Sequence, residues 1–236
     1  KKNIKFINKD IKILLNNLEY NVYGYNNHLF KNFKASYICG LFITNTNLKN
    51  TFKKYIINYF DIFVDNDSLL NEGSSHYIIL FYKWCVELLF FSKIYSDLKM
   101  YNFIKNKINK MNQSLGIFYI KNYNNFVKFG DISPDYNFNF IKSYVSFILE
   151  FLKENELLLN FKNVKLNIDK NFWIRKDIGN SIIISRKINL NKIHYHEHSD
   201  FFHFVYFYKN QSIFIDSGNK NYIEDSNRKK YKSLKS

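Results

Sequence analysis

The spacing of apolar residues changes once along this chain, near residue 159, and that change constrains the fold more than any other feature. Before it, apolar residues recur every three or four positions, as on the buried face of a helix. This spacing predicts five helices, at residues 11–18, 29–43, 52–63, 77–94 and 138–152. The segment 116–137, which holds the only proline, is predicted to be an ordered loop.

After residue 159 the sequence is rich in β-branched and aromatic residues, which favour strands. Four strands are predicted, at residues 172–175, 181–185, 201–208 and 212–216, with Lys209-Asn210-Gln211 as a tight hairpin connection. The order of elements predicts a multidomain α+β protein, with a helical domain at 1–158 and a β domain at 159–236. Four strands are too few to cover two sheets, so we expect this chain to be a piece of a longer protein.

The formal net charge of +15 invites a nucleic-acid role, but the lysines are scattered and no basic block or nucleic-acid motif is present. Lys, Asn, Ile, Phe and Tyr are all abundant together, as an AT-rich coding sequence would produce. We therefore expect no nucleic-acid partner. A positive field suits an acidic polysaccharide equally well.

The two cysteines, Cys39 and Cys85, are too few for a disulfide scaffold, and because both lie in apolar runs they are predicted to be buried. No apolar run is long enough to span a membrane, and we recognise no signal peptide. The sequence leaves the oligomeric state open.

The motif His196-Glu197-His198 is the first candidate site, because alternate residues of a strand project from the same face. Two imidazoles on one face, with Asp216 on a neighbouring strand, suit a divalent metal or proton transfer. The alternative is that these are ordinary strand and turn residues. The clustering of four of the six histidines favours a site: His194, His196, His198 and His203. We interpret His194 as a spare ligand or an exposed residue, and His203 as a hydrogen-bonded core residue.

Two further motifs stand at predicted helix starts. Asn26-Asn27-His28 is explained by helix capping if taken alone. In Glu72-Gly73-Ser74-Ser75-His76-Tyr77 either serine can cap the helix that follows, but capping does not explain why His76 and Tyr77 stand together there. Helix N-termini favour anions, which suits an anionic substrate.

Taken in order, these motifs resemble those of the heparinase II/III-like polysaccharide lyases. Asn26-Asn27-His28 resembles the family's Asn-His element, and Glu72 to Tyr77 its Glu-x-Ser-x-x-Tyr element. Gly130-Asp131-Ile132-Ser133-Pro134-Asp135 resembles a loop of the bacterial surface-polysaccharide members, which makes sulfated glycosaminoglycan the least expected substrate. His196 to Asp200, followed by Ile215-Asp216-Ser217-Gly218, resembles the family's His-Gly-His-x-Asp and Asp-Pro-Gly signature.

The resemblance implies an incomplete α/α toroid followed by the start of an antiparallel β-sandwich, with the active site between them. It implies β-elimination at a uronic acid of an acidic polysaccharide. Asn27 would hold the substrate carboxylate, and Tyr77, His196 and His28 would share the proton transfers. His198 and Asp216 would bind a structural zinc whose third ligand, a histidine, is expected beyond Ser236.

The resemblance further implies a periplasmic or envelope-associated protein. The alternative function is a noncatalytic module that holds an acidic glycan in the same cleft, to which exposed aromatic residues and the scattered lysines would contribute.

Overall fold

The structure is a computed structural model of the 236-residue chain and describes residues 2–19, 26–66, 68–120, 125–132, 137–159, 168–169, 172–187 and 203–216. In these residues, apart from a two-stranded ribbon ahead of the last helix, helices come first and antiparallel strands second, which confirms an α+β fold. The division into domains at residue 159 stays a prediction. Within the same ranges, no helix combines the length and the apolar character that a bilayer crossing requires.

Polar side chains start most of the helices of the described part of the chain. Asn26, Asn45, Asp97 and Asn137 each accept a hydrogen bond from the backbone N–H three residues later, which satisfies a donor that the first turn cannot pair internally. All five predicted helices are present, although the first begins at Lys2, well before residue 11. The described residues contain six α-helices, which are α1 (Lys2–Asn16), α2 (Asn27–Phe42), α3 (Thr46–Phe63), α4 (Ser75–Ile94), α5 (Leu98–Leu115) and α6 (Phe138–Phe151).

Helix α5 is missing from the prediction. Its buried side chains include Met100, Ile104, Ile108 and Met111, which do recur at helical spacing. Lysine and asparagine fill most positions between them, so the apolar stripe is about one residue wide per turn. Burial against α4, which is far more apolar, compensates for this weak local signal.

Aromatic rings fill the core between α2, α3 and α4. The ring of Phe30 lies 5.9 Å from that of Phe60, 5.3 Å from Phe63 and 4.4 Å from Phe81. Helices α2 and α3 also approach closely at Gly40, where an added Cβ would lie only 2.6 Å from the backbone nitrogen of Lys49. The large number of phenylalanines thus serves the interior of the helical part.

A buried carboxylate joins the ends of α4, α5 and α6. Glu154, which follows α6, is 4% exposed and receives the ammonium groups of Lys93 and Lys105 at 2.8 and 2.6 Å and the hydroxyl of Tyr101. Burial raises the pKa of Glu154, but the hydrogen bonds from Lys105, Lys93 and Tyr101 outweigh it and lower that pKa to about 2. Glu154 is therefore ionised at neutral pH and stabilises this corner of the fold.

The sheet contains five antiparallel strands in the described residues, in the order of the chain. Its tight hairpin is confirmed, because Tyr208 pairs with Gln211 and the two residues between them, Lys209 and Asn210, have φ angles of +48° and +63°. The strands are β3 (Ile168–Asp169), β4 (Trp173–Ile178), β5 (Ser181–Arg186), β6 (Phe204–Tyr208) and β7 (Gln211–Phe214), and a two-stranded ribbon, β1 (Tyr119–Ile120) with β2 (Asn125–Phe126), lies inside the predicted loop.

One face of the sheet packs against the helical part. The Trp173 ring meets those of Phe118 and Phe129 edge-on, with centroids 4.7 and 5.0 Å apart. The Arg175 side chain, also buried, donates to the carbonyl oxygens of Gly116 and Tyr119, just after α5 ends. A cation at that position also compensates the negative end of the helix dipole.

Candidate functional site

Asn27, a predicted catalytic residue, is held by a buried carboxylate. Its backbone N–H donates to Oε1 of Glu72 and its side-chain Nδ2 donates to Oε2, both at 2.9 Å. Asn27 is 4% exposed and Glu72 is 2% exposed. Because Asn26 caps α2, Asn27 is the first helical residue, and the favourable electrostatics of a helix N-terminus offset part of the cost of burying Glu72.

The serines at the start of α4 contact a loop and do not cap the helix with their side chains. Ser74 is the N-cap residue, but its hydroxyl donates to the carbonyl of Asp131 and makes no capping bond. The Ser75 hydroxyl donates to the carbonyl of Val127 at 2.8 Å and accepts from Phe129 N–H at 3.0 Å. The capping interpretation is therefore wrong, and these serines attach α4 to the segment 127–131.

Tyr77 lies in the first turn of α4 and is half-buried. Its ring lies beside that of the buried His76, with centroids 5.2 Å apart. The same turn carries Ser74 and Ser75, so the backbone at Tyr77 lies close to the segment 127–131. The predicted partner of Tyr77, His196, lies outside the described residues.

Asp216 lies where the sheet meets the segment 127–131. Its Oδ2 accepts a hydrogen bond from Gly130 N–H at 2.6 Å and lies 3.0 Å from Nε2 of His203. His203 also packs edge-on against the ring of Phe129, with centroids 4.6 Å apart. The interpretation of His203 as a hydrogen-bonded core residue is thus confirmed only in part, because its side chain is 20% exposed and its polar neighbour is the Asp216 carboxylate.

His28 points away from this junction. Its side chain is 55% exposed, and its Nδ1 lies 3.2 Å from Oε2 of Glu19. Adjacent residues of a helix project about 100° apart. The structure therefore brings Asn27 to Glu72 without bringing His28 there.

Four of the sequence motifs are therefore connected by hydrogen bonds. Asn27 binds Glu72, and the serines that follow Glu72 bind the segment 127–131. That segment binds Asp216 through Gly130. Motifs that lie up to 190 residues apart in the chain thus meet at the junction of helices and sheet.

Two residues at this junction, Glu72 and His203, are absent from the predicted catalytic and metal-binding residues. Glu72 stands in a recognised motif, but its contact with Asn27 spans 45 residues and no local pattern reports it. His203 shares the parity of Val205 and Phe207, both buried on the inner face of the sheet. Since alternate residues of a strand project from the same face, the odd-numbered positions of these residues predict that His203 also faces the inner side of the sheet.

In the described residues, at most two side chains could bind a metal at this position, Asp216 and His203. No group of three or more His, Cys, Asp or Glu that could hold a metal occurs in that part of the chain. Protein zinc sites usually have at least three protein ligands. The zinc assigned to His198 and Asp216 stays a prediction, since His198 lies outside the described residues.

A small cavity opens at the same junction. Its volume is about 170 Å³, and its wall includes Val127, Lys128, Phe207 and Asp216. Ligand pockets typically have roughly 300–1,000 Å³. This cavity is therefore too small to be the whole cleft of a polysaccharide.

Neither cysteine is suited to nucleophilic chemistry. Burial raises the pKa of the Cys85 thiol strongly, and burial with the nearby charge of Asp10 raises that of Cys39. Cys85 is fully buried and Cys39 is half-buried. Burial is thus confirmed for Cys85 and partial for Cys39.

Comparison with known proteins gives a likeness of structure and none of sequence. No protein-family model matches the chain, and no curated protein matches it. A heparinase III with methylated lysines superposes with a TM-score of 0.68 at 16% identity, over 95% of this chain and 36% of that one. The heparan sulfate lyase HepC from Pedobacter heparinus superposes with a TM-score of 0.65 at 16% identity, over 97% of this chain and 39% of that one.

This chain has a heparinase III-like fold. It spans less than two fifths of the length of either solved structure. At 16% identity the likeness establishes the fold alone. The polymer named for one neighbour is therefore not transferred to this chain.

Proposed function

We propose that this chain carries part of the active site of a polysaccharide lyase that cleaves an acidic, uronate-containing polysaccharide by β-elimination. The main support is the hydrogen-bonded junction that connects Asn27, the start of α4 with Tyr77, and Asp216. The fold likeness to heparinase III and to a heparan sulfate lyase points the same way. An incomplete α/α toroid followed by part of a β-sandwich is the architecture that we propose for the cleft.

The chemical difficulty is the proton on C5 of the uronate, which is weakly acidic while the neighbouring carboxylate is ionised. In our proposal the Asn27 amide donates a hydrogen bond to that carboxylate and stabilises the negative charge that develops as the C5–H bond breaks. The orientation of this amide is fixed by Glu72 at 2.9 Å. A donor fixed in advance does not have to reorganise during the reaction.

The proton transfers are assigned to Tyr77 and His196, with His28 as a further candidate. The base removes the C5 proton, the C4–C5 double bond forms, the bond from C4 to the glycosidic oxygen breaks, and an acid protonates that oxygen. Tyr77 is half-buried in the first turn of α4, beside the ring of His76. His28 is exposed and paired with Glu19, and the role of His196 rests on the resemblance of motifs alone.

Further elements of the proposal rest on the resemblance of motifs. They are the structural zinc at His198 and Asp216, an acidic polysaccharide in place of a nucleic acid as partner, and a periplasmic or envelope location. The proton transfers assigned above do not pass through the zinc.

The test is to incubate the full-length protein with uronate polymers, including alginate, heparan sulfate and bacterial surface polysaccharides, and to follow the ultraviolet absorbance of the unsaturated product. Tyr77→Phe should lower kcat by about 10²-fold or more, because it removes a general acid or base. The matched control is Tyr95→Phe, the same substitution at an exposed residue that follows the other end of α4.

Products with only saturated ends would contradict elimination. A protein that binds the polymer without cleaving it, and whose affinity is unchanged by Tyr77→Phe, would favour the noncatalytic module.

A further inference from the structure

We propose that Glu72 is a positioning residue that sets which end of the Asn27 side-chain amide faces the substrate. This inference rests on the proposed lyase function. Glu72 is not among the residues to which the motif resemblance gives a chemical role. In the structure each of its carboxylate oxygens accepts a hydrogen bond from Asn27.

The geometry leaves one orientation of the amide. A carboxylate only accepts hydrogen bonds, so an amide that faces Glu72 must present Nδ2 and not Oδ1. The second bond, from the backbone N–H of Asn27 to Oε1, fixes the carboxylate relative to the helix that carries Asn27. An amide nitrogen carries two hydrogens, so donating one to Glu72 does not exhaust Asn27 as a donor.

Burial makes this arrangement specific. Glu72 is 2% exposed and Asn27 is 4% exposed, so bulk water cannot easily replace either hydrogen bond. A buried amide that turned over would place its carbonyl oxygen against the carboxylate, which repels it. The negative charge of Glu72 thus holds the donor end of Asn27 in place while the side chain itself need not touch the sugar.

Glu72→Gln separates positioning from a purely structural role. The glutamine Oε1 can still accept the backbone N–H of Asn27, while its Nε2 now opposes Nδ2. The Asn27 amide relieves this conflict by turning over, which retains two hydrogen bonds but reverses the end that faces the substrate. We expect the variant to fold with a thermal midpoint close to that of the wild type.

The decisive experiment is a double-mutant cycle on kcat in the full-length protein, with formation of unsaturated product as the readout. Glu72→Gln should lower kcat by on the order of 10²-fold, as a misplaced catalytic contact does. In an Asn27→Ala background the same substitution should change kcat by less than about 3-fold, because Glu72 then has no amide to orient. Glu156→Gln, at an exposed glutamate, is the matched control and should leave kcat unchanged.

The possible outcomes are distinct. An active wild type with an unimpaired Glu72→Gln variant overturns the inference and leaves the proposed function intact. Equal losses of kcat in the two backgrounds also overturn it, because Glu72 would then act independently of Asn27. A wild type that forms no unsaturated product from any polymer overturns the lyase proposal, and this inference with it.

Discussion

Replacement of Asp216 by alanine tests whether this residue stabilises the junction without a metal. In the structure Asp216 is 4% exposed, accepts the Gly130 N–H at 2.6 Å and lies 3.0 Å from the His203 ring. The first contact joins the end of the sheet to the segment 127–131, and the second joins the residues that flank the paired strands β6 and β7. Neither involves a bound ion, so the loss of stability should be present in metal-free protein.

The magnitude follows from what the substitution removes. A hydrogen bond to a charged group contributes about 1.5–3 kcal/mol, and a buried N–H that loses its acceptor adds a penalty of about 1–3 kcal/mol. These contributions overlap, and the His203 side chain is 20% exposed, so water replaces part of its contact. We expect the free energy of unfolding of Asp216→Ala to fall by about 2–3 kcal/mol.

The assay is equilibrium urea unfolding of the full-length protein in the presence of a chelator. Asp216→Asn retains an oxygen that can accept from Gly130 N–H, so it should cost about half as much as alanine. Asp61→Ala is the matched control, because that carboxylate is 77% exposed and its ion pair with Lys107 should contribute at most about 1 kcal/mol.

An Asp216→Ala variant that is as stable as the wild type in chelator would contradict a metal-free role for Asp216. If the variant differs from the wild type only when zinc is added, Asp216 acts as a metal ligand and the contacts to Gly130 and His203 contribute nothing measurable.

Three further predictions concern stability alone. Gly40→Ala should lower the free energy of unfolding by about 1 kcal/mol in urea melts, because overpacking against Lys49 outweighs the gain in helix propensity. An unchanged or higher free energy of unfolding would mean that α2 and α3 can move apart at this contact without loss of stability. Glu154→Gln should remove the acid sensitivity that Glu154 contributes. The stability that Glu154 provides is present above its usual pKa of 4.5 and is lost as pH falls through its folded-state pKa of about 2, so the melting temperature of the variant should vary less with pH between these values than that of the wild type. An equal pH dependence of the two melting temperatures would exclude this contribution of Glu154. Trp173→Ala should cost about 3–5 kcal/mol by calorimetry, and a cost below 1 kcal/mol would show that the sheet and helices pack weakly.

Local patterns predict most of the elements in this fold. Helix α4 is apolar over most of its length, and Lys209-Asn210 provides a hairpin turn between two apolar strands. Both features depend on neighbouring residues, which a sequence displays directly. Helix α5 escapes the prediction because its stability comes from burial against α4 and not from its own composition.

The candidate site is less predictable, because its contacts are long-range. The residue types at Asn27 and Tyr77 are informative, but nothing in the chain reports that Asn27 meets Glu72 or that Asp216 meets Gly130, 86 residues earlier. Ser74 illustrates the difference. Its position predicts a capping side chain, and a tertiary contact with Asp131 takes that hydroxyl instead.

The segment 127–131 bonds on one side to the start of α4 and on the other to Asp216, which follows the strand β7. A rotation of the sheet relative to the helices would pull on Gly130 and thereby on the turn that carries Tyr77. Substitutions far out on the sheet can therefore shift residues of α4 with which they have no contact, and Gly130 is the residue through which such a shift would pass.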